Sequence, residues 1–389
     1  MEVSTLTAAV CAAVLTTVAI ATPASAHGGI TPPNFDEAEI LVDGMLSPLS
    51  LDVEPGGTAW ITQNFPGLLN QVTKRGERID VVNGNGAEIG AVSTRHNTVY
   101  YAEVAQDHSS AMLMSLRKGK EPVPIGDLWA HENQENPDQV NSYGFLDLPE
   151  SCASQFDPAG PFGPPAYTGI IDTHPYASLA TRDGVYVADA GMNAIVKVSY
   201  DGGVSTVAVL PATPPVVATA EIVAQFGFPT CATGYSYRFE PVPTDVELGP
   251  DGWLYVTSLP GGPEDASLGE RGAVYRVNPK SGEVVPFATG YVGATGLAVS
   301  ERTGIVFVAE MFGGADGTGQ VSVVPPWGGQ AVAAFPVTSP AAIELSGKDL
   351  YLTKDAFVLG PEGPQPIGKL VKISLTNKWL KSSLNQPNG

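Results

Sequence analysis

Three things are scarce in this sequence, and each scarcity closes a route. Helical periodicity is the first. No long stretch repeats its apolar residues at the spacing of an amphipathic helix, which argues against a helical bundle or an alternating helix–strand fold. Basic residues are the second. Lys and Arg number 20 against 40 Asp and Glu, a formal charge of −20. Such a surface repels nucleic acid and anionic lipid, favours cations or neutral ligands, and helps to keep a chain in solution. Cysteine is the third, with three in 389 residues. A Gly-x-Ser-x-Gly nucleophile elbow, a Cys/His pair and a phosphate-cradling loop are also missing, so the familiar local signatures of acyl and phosphoryl transfer are not present.

Long apolar runs are confined to the beginning. Residues 6–21 (LTAAVCAAVLTTVAIA) are followed by Thr22-Pro23-Ala24-Ser25-Ala26, an apolar core with an A-x-A cleavage site. Residues 1–26 therefore read as a signal peptide and His27 as the mature start, although the segment before the run carries Glu2 and no Lys or Arg. A transmembrane anchor needs about 20 apolar residues, and Pro23 arrives too soon. The chain reads as secreted, with no anchor left after cleavage. Cys11 leaves with the signal. Cys152 and Cys231 remain, and an even pair in an oxidising compartment suggests one disulfide, with two separate thiols as the alternative.

What the sequence has in abundance is glycine and proline, 44 and 34 residues, punctuating short β-rich runs. Within 174–210, Tyr176–Leu179, Val185–Ala188, Ile195–Val198 and Ser205–Leu210 read as four strands. Asp183-Gly184 and Asp201-Gly202-Gly203 supply tight antiparallel turns. The second-strand signature, an aromatic among small apolar residues, recurs around Trp60, Tyr100, Tyr186, Tyr255, Phe307 and Tyr351. Four strands repeating every ~40–50 residues mark a β-propeller blade, and six such units can be counted. The last unit has no convincing fourth strand. Ile40–Val42 supplies it, pairing with Leu370–Ile373 to close the ring and remove a free edge. The expected fold is all-β: a six-bladed β-propeller of four-stranded antiparallel blades, ring closed by an N-terminal strand. Its domains are a signal peptide (1–26), a polar lead-in (27–39), the propeller (40–375) and a polar C-terminal tail (376–389).

Strand direction sorts the loops. Connections from second to third strand, and from fourth strand to the next blade, share one face of the disc. The inserts 122–173 and 211–240, which carry the two cysteines, and the loop 260–271 all fall there, so a Cys152–Cys231 bridge is geometrically reasonable. The first insert opens as a short helix, with Asp127 capping it and Pro137 stopping it. Elaborated loops on one face of a rigid scaffold are where function usually sits.

Residues that follow each second strand project toward the channel mouth: Asn64, Glu103, Asp189, Ser258, Glu310 and Asp355. Oxygen ligands of this kind suit a hard cation, and calcium is the ion such a set would take. Like carboxylates near one axis raise one another's pKa, so protonation, loop N–H groups or a cation must relieve them. Amide capping is expected at Asp189 and assistance from Lys354 at Asp355. His174 and Asp245, at the starts of innermost strands, could form a general acid–base pair; in the plainer reading His174 packs beside Pro175-Tyr176 and hydrogen-bonds the next blade.

The stretches GDLWAHENQENPDQVNSYGF, DTHPYASLATRDGVYVADAGMNAIVKV and EPVPTDVELGPDGWLYVTSLPG resemble the ScyD/ScyE family of secreted, NHL-like six-bladed propellers. The chain keeps Tyr186-Val187-Ala188-Asp189-Ala190-Gly191-Met192-Asn193, has Trp129 and His131-Glu132 where the family shows Tyr-Glu, and has His174 where it shows Asn. Some cyanobacterial members are linked to making the pigment scytonemin, and the wider family has no settled reaction. The resemblance implies a ligand- or partner-binding module, its small-molecule or protein ligand held at one face of the disc. The competing reading is a metal-dependent, lactonase-like hydrolase at the channel mouth. Neither involves nucleic acid.

Overall fold

The computed structural model describes residues 35–160 and 163–376. The expected signal peptide, its cleavage site and nearly all of the C-terminal tail lie outside them. The described chain is all-β, with 46% strand and 9% helix, and contains seven four-stranded antiparallel sheets. No described helix is long and apolar enough to cross a membrane.

Four sheets follow the chain in simple meanders after the first, which is Ser50–Val53, Ala59–Gln63, Leu68–Val72 and Arg78–Asn83. The second is Glu88–Arg95, Thr98–Val104, Ala111–Arg117 and Val123–Asp127; the third is Pro175–Thr181, Gly184–Asp189, Ala194–Val198 and Val204–Val209. Pro243–Leu248 opens the fourth and Ala294–Val299 the fifth. The sixth takes Ile343–Ser346, Asp349–Lys354 and Gly368–Ser374 from one end of the chain and Glu39–Met45 from the other. In it Ile40 stands opposite Val371 and Val42 opposite Leu370, the pairing expected for the N-terminal strand.

Turn chemistry explains the meanders. Gly184 adopts φ 138°, and a Cβ there would meet the Val198 carbonyl oxygen at 2.6 Å, so only glycine fits. His96 and Asn97 carry positive φ at the tip of the hairpin in the second sheet, the left-handed pair that a two-residue turn between twisted strands requires.

The apolar core lies between successive sheets rather than in one central mass. Tyr100, Ala102 and Leu113 of the second sheet pack on Val185, Val187 and Val196 of the third. Tyr186 and Ile195 of the third pack on Val256 and Val277 of the fourth. Leu51, Ile61 and Val72 of the first pack on Met45, Tyr351 and Leu370 of the sixth. Each opening strand also touches the opening strand of the following sheet, and that of the sixth touches that of the first.

The two inserts form a structure that sequence periodicity did not reveal. Ser142–Phe145 and Ala166–Thr168 of one pair with Val216–Val217 and Ser236–Arg238 of the other, building a seventh sheet from strands too short to show alternation. Phe145, Phe156, Phe228 and Tyr237 fill its base. The Cys152–Cys231 disulfide is present, with Cα atoms 5.8 Å apart. The expected helix spans Leu128–Glu135, capped by Asp127 Oδ1, which accepts the Ala130 N–H at 2.8 Å. Its Leu128 is buried between the second and third sheets and so anchors the insert.

Two outcomes follow from this packing. Met45→Ala should cost about 2–4 kcal/mol in urea unfolding, because Met45 is fully buried where the chain ends meet. Cys231→Ser should speed hydrogen exchange in the insert sheet and leave the other six sheets protected, since each of those has its own packing.

Candidate functional site

The site is built where the opening strands begin. Glu88 starts the second sheet and His174 immediately precedes the third. His174 Nε2 lies 3.0 Å from Glu88 Oε1, and Glu88 Oε1 also accepts from Asn64 Nδ2 at 2.9 Å, tying three sheets together. Above this pair, His108 sits in the turn between Thr98–Val104 and Ala111–Arg117, and its Nδ1 meets Asp172 Oδ1 at 2.7 Å. The two imidazoles stack with centroids 5.1 Å apart. Glu132, from the insert helix, accepts the Asp172 N–H at 3.2 Å and is fully buried.

Electrostatics here follow from burial and pairing. The hydrogen bond to Asp172 raises the pKa of His108 against a smaller penalty for burial. Burial pulls His174 down, but Glu88 and the neighbouring acids outweigh it and leave its pKa raised. Burial likewise pushes Glu88 and Asp172 up, yet their histidine partners hold both below the usual carboxylate range. Among the described residues, no ion pair engages Glu132. Burial raises it to about 8, aided by Asp189, Asp138 and Asp172, so it holds a proton at neutral pH.

The residues expected at the mouth are arranged differently from one another. Asp189 is fully buried and accepts from Thr173 Oγ1 and from the N–H groups of His174, Gly191 and Met192, which is the amide capping expected of it. Burial raises its pKa despite these donors. Asn64 accepts from Thr62 Oγ1 at 2.6 Å and donates to Glu88. Glu310 accepts from Val292 N–H, Gln320 Nε2 and Ser322 Oγ, and burial raises it. Glu103 is half-buried on its strand, and Ser258 donates to the Pro241 carbonyl. Asp355 pairs at 2.7 Å with Lys369, not with Lys354 as expected. The left-handed backbone at Asp355 (φ 51°) turns its carboxylate to the adjacent strand, where Lys369 stands opposite Lys354.

His174 and Asp245 have separate partners. Asp245 accepts the N–H groups of Val246 and of Leu297 in the next sheet, and burial lifts its pKa to about 7. His174 thus bonds a neighbouring sheet, the plainer role expected of it, and Asp245 does the same. Asp189, Glu310 and Asp355 each have local donors rather than one another. Among the described residues, no three His, Cys, Asp or Glu side chains are placed to share a metal ion.

Sequence reasoning missed Glu88 and His108. Their signal was topological: the start of a first strand and the loop joining second and third strands lie on the same face as the inserts.

No protein-family model matches the chain, and no curated relative does. Solved structures similar to it include a streptogramin B lyase (10% identity, 86% of this chain and 97% of that one, TM-score 0.47). Regucalcin from Agrobacterium tumefaciens, titled a calcium-binding protein, is 13% identical over 87% of this chain and 95% of its own (TM-score 0.49). A gluconolactonase from Xanthomonas campestris is 11% identical over 87% and 89% (TM-score 0.49).

The mouth makes stability depend on pH with a definite sign. The raised histidines contribute fully below their unfolded pKa and lose that contribution as pH rises through their folded values. Buried carboxyls raised to about 6 (Asp52), about 7 (Asp245) and about 8 (Glu132) also lose stability as pH climbs from the ordinary carboxylate range to those values. Glu88 and Asp172, being lowered, act only in acid, where they lose theirs as pH falls. The melting temperature should therefore peak at mildly acidic pH and fall steadily as pH rises to about 8, and His174→Ala should flatten that fall. Scanning calorimetry across pH checks it.

Proposed function

We propose that the chain is an exported six-bladed β-propeller of ScyD/ScyE type that binds a small polar ligand at the mouth marked by Glu88, His108, Asp172 and His174. The five meander sheets and the sixth, the cyclic contact of their opening strands and the pairing of Glu39–Met45 with Gly368–Ser374 support the closed ring. The disulfide supports export. The observation that carries the binding reading is the stacked pair of histidines, each held by its own carboxylate, at the face that the two inserts build up. The paired charges offer both donors and acceptors. The acidic surroundings favour a neutral or cationic ligand over an anion.

The metal-dependent hydrolase is the weaker reading, because it needs several mouth carboxylates around one ion and three of them are engaged separately. Calcium stays with that reading. One experiment separates the two. A thermal-shift panel of neutral polyols, lactones and polyamines is run on wild-type and His174→Ala protein, with and without calcium. Ligands that stabilise the wild type should bind the variant about tenfold more weakly, a loss of about 1.4 kcal/mol. Hits that act equally on both proteins would place binding elsewhere. A calcium-dependent rise in melting temperature together with lactone turnover would favour the hydrolase, since a bound ion stabilises by mass action.

A further inference from the structure

At the other end of the opening strands, basic side chains gather in one place, beside a cavity lined by Glu247, Glu301 and Glu344. A cleft of about 720 Å³ lies between the second and third sheets, and its basic lining is Arg95, His96, Arg117, Lys118 and Arg182. Four of the chain's 20 Lys and Arg residues line it, and among the described residues no Asp or Glu does. With acids twice as abundant as bases overall, so local a reversal is a feature of the fold rather than of composition.

Hairpin geometry produces it. Arg95 and His96 occupy the tip between Glu88–Arg95 and Thr98–Val104. Arg117 ends Ala111–Arg117 and Lys118 follows it in the turn before the fourth strand, and Arg182 sits at the corresponding first-hairpin tip of the third sheet. Connections from first to second and from third to fourth strand share this face, so three tips meet. No ion pair among the described residues engages Arg95, Arg117 or Lys118. Arg182 has only Asp183 at 3.9 Å, both side chains being largely exposed, and such a pair is weak. Aromatic surface completes the cleft. The Tyr100 and Tyr200 rings lie 5.8 Å apart, and the Tyr200 hydroxyl donates to the Thr181 carbonyl, which leaves a ring face fixed and 44% of the residue exposed.

We propose that this cleft binds a small organic oxyanion, a carboxylate- or phosphate-bearing molecule whose flat or apolar part rests on the tyrosines between Arg95, Arg117 and Arg182. Size and charge together select a small ligand. The volume suits a metabolite. A long polyanion such as nucleic acid would extend over the acidic remainder, whereas a compact one stays within the Debye length of about 8 Å around the cations.

Titration calorimetry on the full chain, freed of metal by chelator and dialysis, tests this with phenyl phosphate, citrate and, as a neutral control, phenol. Saturable one-site binding of at least one anion, and none of phenol, is expected; which anion binds tells phosphate ester from polycarboxylate. Arg95→Gln combined with Arg182→Gln should weaken it by about tenfold or more. Lys118→Glu, on an exposed turn, provides a second loss should the double variant fold poorly. His174→Ala, at the opposite mouth, should leave the anion affinity within about twofold, so failure here is distinguishable from failure of the mouth reading. No binding of either anion at about 10 mM, or equal binding by wild type and both variants, overturns the proposal.

Discussion

Everything in this molecule depends on how the innermost strands dispose of their open edges. The first strand of each sheet pairs on one side only, and an unpaired buried N–H or carbonyl is costly. Side chains supply some of the missing partners across the gaps between sheets. Ser50 Oγ accepts the Val92 N–H, Ser178 Oγ donates to the Ala91 carbonyl, Thr244 Oγ1 to the Ala294 carbonyl and Thr295 Oγ1 to the Ala341 carbonyl. Asp52 and Asp245 act similarly, accepting the N–H groups of Thr94 and Leu297. Short polar residues on these strands are therefore connectors. They also explain why several buried carboxyls are tolerated without cations: a backbone donor meets each of these two, and a proton can offset the remaining cost.

The two ends of the same strands then acquire different chemistry. At one end, the first insert brings Glu132 and Asp172, and a short turn brings His108, over His174 and Glu88. At the other, the connections are tight hairpins whose tips are free to carry charge. Burial makes the first end sensitive to protons, and exposure leaves the second with fixed positive charge. An acidic chain can hold both because the lengths of the opening strands separate them.

Much of this was legible beforehand. The aromatic second-strand signature and the Asp-Gly turns located the repeating sheets, since turn chemistry and two-residue alternation are local. The capping of Asp189 was readable because Gly191 lets backbone amides turn inward. Pairing at Asp355 was not, because it depended on a left-handed backbone that presents the carboxylate to Lys369. Glu88 and His108 were hidden for another reason. Each lies in a segment with no pattern of its own, and they are neighbours only through the folded arrangement of two sheets. The insert sheet escaped notice because strands such as Val216–Val217 are too short to alternate.

The pairing of Glu39–Met45 with Gly368–Ser374 has a kinetic side. Glu39–Met45 cannot pair until Gly368–Ser374 has been made, so the sixth sheet is completed late. Until then, an apolar edge lies open to other chains. Contacts between residues so distant in sequence form slowly, because loop closure must come before they reward it. A truncation that removes Gly368–Ser374 would leave Glu39–Met45 with no strand to join.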